Sequence, residues 1–156
     1  KTLLTQSGQR LLTMWFDDVG ADAWGTLFDM QILEVNPPLA PGITSTIDLE
    51  LPGQGGMSYV LLAALATSPS IPVGLDRTFH LAPDGLLQYL LAFPNGPLGT
   101  GYAGVLDAQG HASATFIAPN TPVIQGLTLY FAPATLDPSS PTGVFGLYDP
   151  VPFTVQ

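Results

Sequence analysis

Three aspartates stand within one short stretch, DDVGAD: Asp17, Asp18 and Asp22. Carboxylates this close are candidate calcium ligands, because calcium takes several oxygens from a flexible loop. Their spacing is not that of an EF-hand, and a solvated turn is the competing reading. Trp15 and Trp24 flank the acids. Aromatics beside carboxylates suit a sugar-binding cleft, and paired acids hydrolyse glycosides when a fold sets them about 5 to 9.5 Å apart. Both tryptophans would serve equally well in a core or an interface.

His80 and His111 are the only histidines, and the chain has no cysteine. A structural zinc site draws its ligands mainly from those two residue types. A serine hydrolase needs a serine held against a histidine that a third group orients, and no G-x-S-x-G elbow occurs. GQGGMS at 53–58 has the glycines of a phosphate loop but no following lysine, so it reads as a β-turn. No residue is assigned to catalysis, no cofactor is expected, and the metal candidates are Asp17, Asp18 and Asp22 alone.

These groups sit in an unusual background. The chain has 156 residues, which suits one ordinary domain with its own core. Only 10% of its residues are charged, against about 25% in ordinary soluble domains. Twelve are acids and three are bases, Lys1, Arg10 and Arg77, for a net charge of −9. That balance argues against nucleic acid, whose phosphates are neutralised by Lys and Arg, and against anionic membrane surfaces. No apolar run reaches the length of a membrane span; the longest is YVLLAALA at 59–66. The chain starts at Lys1, as a processed exported protein or a trimmed one would. Seventeen glycines and sixteen prolines are spread along its length.

The elements that must position these residues read as strands. ITSTIDLEL (43–51) alternates, with Ile47, Leu49 and Leu51 on one face and Asp48 and Glu50 on the other. MSYVLLAALAT (57–67) reads as a central strand buried on both faces. LFDMQILEV (27–35), RTFHLAP (77–83), LLQYLLAF (86–93), GLTLYFAPATLD (126–137), VFGLYD (144–149) and VPFTVQ (151–156) add further apolar runs. YAGVLDAQGHASATFIA (102–118) reads as a hairpin turning at Asp107–Gly110. The nearest thing to a helix is one short turn in APNTPVIQG (118–126), with Asn120 as its cap. About eight short strands separated by turn clusters predict an all-β antiparallel β-sandwich, immunoglobulin-like or jelly-roll-like. It spans 27–156, with an extended N-terminal arm over 1–26.

Three stretches carry a resemblance: ITSTIDLELPG, GVLDAQGHASATFIAPN and GLTLYFAPATLDP. They resemble the β-sandwich modules of large exported bacterial surface proteins, in which an LDxxGxAxxxxxIP hairpin and a GLTLYxQAxxLD strand recur. The resemblance covers about residues 38–156. It implies fold and export, hence an extracellular or cell-surface location, and it implies no activity. Pro133 stands where such modules often carry a less restrictive residue.

Sheet edges bring the argument to the front of the chain. Edge strands expose unpaired backbone groups and are commonly guarded by charge, lysine above all. From residue 27 onward the only base is Arg77. The edges must then be short, bulged, proline-protected or covered. TLLT and RLLTMWF, joined by the bendable QSGQ, are strand-competent and could cover one. Fully extended, residues 2–16 would span about 50 Å. The arm either folds back onto its own sandwich or adds to a neighbouring copy, head to tail, giving a filament. Leu3, Leu4, Leu11, Leu12, Met14, Trp15 and Phe16 are the candidate self-association residues. The expected function is a non-enzymatic exported structural subunit whose partners are other copies of itself. The alternative is a carbohydrate-binding or adhesion module with glycans as partners. Neither involves nucleic acid or membrane insertion.

Overall fold

The structure, a computed structural model, describes residues 2–7, 10–16, 23–29, 32–74 and 77–156, with side chains from residue 32 onward. The chain forms two compact units, Lys1–Ile32 and Leu33–Gln156. The first holds three antiparallel strands, β1 (Thr2–Ser7), β2 (Arg10–Phe16) and β3 (Ala23–Asp29), in the order β1-β2-β3. The two arm segments predicted to be strand-competent are β1 and β2, and they pair with each other. β3 runs through the expected boundary at 26 because it completes this sheet on the other side of β2.

The second unit is an antiparallel β-sandwich. One sheet orders β4 (Leu33–Asn36), β5 (Thr44–Glu50), β11 (His111–Ile117) and β9 (Gly99–Thr100) as β4-β5-β11-β9. The other orders β10 (Ala103–Val105), β6 (Ser58–Ala64), β12 (Thr128–Leu136) and β13 (Val144–Leu147) as β10-β6-β12-β13, and β14 (Val151–Thr154) also pairs with β12. A two-stranded ribbon, β7 (Ile71–Val73) with β8 (Arg77–Phe79), stands apart. The inward residues follow from period two. Ile47, Leu49 and Leu51 are buried while Asp48 and Glu50 are exposed, as their alternation predicts. β6 lies between two strands and buries successive residues from Leu61 to Ala64. Phe116 of β11 meets Phe131 of β12 edge-on at 5.9 Å, which ties the sheets together across the core.

Both helical elements differ from the sequence expectation. LLQYLLAF is not a strand: Gly85–Ala92 forms helix α1. Asp84 is its N-cap, accepting from the backbone N–H of Leu86 and Leu87 at 3.0 Å each. Leu87 and Leu90, three apart, form its buried face. The predicted turn near 118–126 exists as a 3-10 helix at Pro122–Ile124, but Thr121, not Asn120, stands at its cap and makes no side-chain bond there.

The expected hairpin at 102–118 is instead an arch. β10 pairs with β6 and β11 with β5, so the chain crosses from one sheet to the other. The turn itself is as the sequence predicts. Asp107 Oδ1 accepts from the N–H of Gln109 and His111, both at 2.8 Å. Gly110 has φ 91°, and a Cβ there would collide with the Leu51 carbonyl. What separates the strands is Leu106, which is buried and whose N–H bonds to Met57 rather than into the β11 ladder.

Pro133 lies inside β12, a central strand, where a missing N–H is normally costly. β12 pairs with β14 through Thr128–Phe131 and with β13 through Ala134–Leu136. Pro133 falls at the changeover between those two partners. Its carbonyl accepts from the Tyr148 N–H at 3.3 Å on that same side, so the N–H it lacks would face the gap between them.

Candidate functional site: the strand edges

Among the described residues, the sandwich edges are short. β4 has four residues, β9 two, β10 three, and β13 and β14 four each. β4 carries the exposed acid Glu34, opposite Asp48 in register. β14 contains Pro152, which cannot donate to a further strand. β13 pairs with β12 through an irregular register between Thr135 and Leu136. The expectation that weakly charged edges must be short, bulged or proline-protected is met on this unit.

β13 has a further guard. The Arg77 guanidinium donates to the carbonyls of Phe145 at 2.9 Å and Val144 at 2.8 Å, and to the Thr142 hydroxyl at 2.7 Å. Arg77 is the only Lys or Arg from residue 33 onward, and it engages the carbonyls of two consecutive residues of edge strand β13. A planar fork with donors on two nitrogens suits that task.

The first unit differs. Within their own three-stranded sheet, and among the described residues, β1 and β3 have six and seven residues and each pairs with β2 alone. Neither contains proline, and Asp29 at the end of β3 is the only charged residue in the two strands. Of the candidate self-association residues, Leu3 and Leu4 lie on edge strand β1. Leu11, Leu12, Met14, Trp15 and Phe16 lie on β2, whose backbone is paired on both sides. β2 is therefore the centre of this sheet. β3 was not singled out from sequence as an edge; its signal was the short apolar run around Trp24 and Phe28. Asp17, Asp18 and Asp22 lie outside the described residues, as does the chain that joins β2 to β3 at 17–22. Trp15 and Trp24, which flank that segment, are register partners.

A small polar cluster stands on the outer face of β5 and β11 and on the turn before β11. His111 lies 3.8 Å from Glu50 and 3.9 Å from Asp107, with all three side chains more than half exposed. Ser113 donates to Asp48 at 2.5 Å. His80 is exposed. The Asp107 carboxyl is held below its usual range by the backbone N–H of His111 first, then by that of Gln109 and by the nearby imidazole. Ser139, through its hydroxyl and its N–H, lowers Asp137 in the same way. Both acids organise turns: each accepts an N–H two residues ahead in an Asx arrangement. Ser139 lies in the loop P-S-S-P-T-G.

Compared with known proteins, the chain matches no family model, no curated protein and no solved structure.

Proposed function

We propose that this chain is a non-enzymatic, exported structural subunit that self-assembles by strand addition through the edges of its N-terminal sheet. One contrast supports the reading. The sandwich protects its own edges by brevity, proline, an acid and Arg77, whereas β1 and β3 are longer and carry one charge between them. A strand paired on one side offers a row of N–H and C=O groups to another copy, and main-chain bonds then supply affinity. A surface poor in charge also loses little when it packs against other subunits, because few ions need desolvating. Export rests on the resemblance of residues 38–156 to surface-protein modules. The test is sedimentation velocity of the full chain over a concentration series, with Thr5→Lys and Thr26→Lys as edge-blocking changes. Association that rises with concentration and is lost in the double variant supports the proposal. A monodisperse monomer at every concentration removes it.

A second reading, a carbohydrate-binding or adhesion module, is favoured by the Trp15–Trp24 register, which sets two stacking-competent residues at neighbouring positions beside the acid-rich segment. Glycan-array binding, with and without calcium and with Trp24→Ala, tests it; no binding in either condition ends it.

A further inference from the structure

One end of the sandwich holds an apolar pocket of about 240 Å³ that is open to solvent, with Leu65 and Leu127 of its wall exposed. Its wall includes Leu65 just after β6, Leu86 on α1, Phe116 on β11, Ile124 on the 3-10 helix, Leu129 on β12 and Val155 just after β14. Every lining residue is Leu, Ile, Val, Phe or Pro. Two of these walls are tied by one side chain: the Asp84 carboxylate accepts from the Leu65 N–H at 2.6 Å and the Leu86 N–H at 3.0 Å. That part of the wall is thus held by anchored backbone.

A cavity of about 150 Å³ lined by such residues takes up benzene, so this one has room for a ring with short alkyl substituents. It is too small for a helix or a strand. Charge narrows the ligand further. The chain carries −9, and Arg77, the only Lys or Arg of the sandwich, is engaged on Val144 and Phe145. No cation lines the cavity to hold a carboxylate or phosphate. We propose that this cavity is a binding site for a small neutral hydrophobic molecule of alkylbenzene size.

Toluene is the probe and benzoate its charged counterpart, measured on the full chain by thermal shift and saturation-transfer NMR. Saturable toluene binding is expected, with benzoate at least ten-fold weaker. Ile124→Phe at the half-buried mouth and Leu129→Phe in the wall both fill the space, and each should weaken toluene binding at least ten-fold. Because Ile124 is on a surface turn, its variant reports even if the Leu129 variant fails to fold. The proposal is overturned if wild type shows no saturable toluene binding, or if a folded filling variant binds as well as wild type. It is also overturned if binding emerges only on dilution, which would mean that a second copy fills the cavity.

Discussion

Arg77 donates from Nη1 to the carbonyl oxygen of Phe145 at 2.9 Å, joining the β7–β8 ribbon to the edge strand β13. The contact combines two roles. It satisfies carbonyls of β13, and it places the sandwich's only Lys or Arg on an edge strand. Arg77→Ala should lower stability by about 1 kcal/mol, because charge-assisted bonds at an exposed site are partly replaced by water. That corresponds to a fall of a few degrees in Tm, read by calorimetry. Aggregation on heating should rise as well. Arg77→Lys should not restore wild-type behaviour, since an ammonium lacks the planar fork. Full rescue by lysine would show that charge alone matters.

Asp84 binds three backbone N–H groups, those of Leu65, Leu86 and Leu87. Asp84→Ala should cost about 2 kcal/mol, at the upper end for a lost N-cap, because the link to the end of β6 goes with it. Asp84→Asn keeps the capping oxygen and should cost clearly less. Urea unfolding of the two variants measures both.

Asp107 and Asp137 have lowered pKa values in the fold, so the unfolded chain binds their protons more readily. Their stabilisation is present above the ordinary carboxylate value of 3.8 and is lost as pH falls through the lower folded values. Urea midpoints measured from pH 6 down to about pH 2 should therefore fall in the acid range. In Asp107→Asn that slope should be shallower, because one of the linked protons is gone. An unchanged slope would mean that other acids carry the effect.

Ser45 is fully buried on the inward face of β5, opposite Phe116, and its hydroxyl has no hydrogen-bond partner among the described residues. Thr135, equally buried, donates to Gln54 at 3.3 Å and accepts from the Gly146 N–H at 3.0 Å. The two differ in what truncation removes. Ser45→Ala should be neutral or stabilising by about 1 kcal/mol, whereas Thr135→Val should destabilise by leaving Gly146 unpaired. Equilibrium unfolding of both variants decides it.

The sandwich was legible in the sequence where period two was clean. ITSTIDLEL placed Ile47, Leu49 and Leu51 inward, and the glycine-closed Asp107 turn sits where DAQG predicted. α1 was missed because LLQYLLAF is apolar nearly throughout, which hides a helical stripe; the usable signal was the cap, Asp84, directly before it. The arch at 106–111 was read as a hairpin because local turn chemistry does not say which sheet each flanking strand joins; burial of Leu106 decides that, and it is a tertiary event. Arg77 was visible as a lone base, but its target on β13 lies far along the chain and left no local trace. The strand character of 2–16 was readable from its apolar runs. Its pairing with 23–29 was not, since apolar runs show that a segment can be a strand but not which strand lies beside it.

The central claim is that copies meet through the free edges of the N-terminal sheet, and backbone hydrogen exchange tests it most directly. Amide exchange of the full chain is followed by mass spectrometry at low and at high protein concentration. Peptides covering Thr2–Ser7 and Ala23–Asp29 should gain protection as concentration rises, while those covering β4, β9, β10, β13 and β14 stay unchanged. Identical exchange at both concentrations, or protection gained only along the sandwich edges, would contradict it.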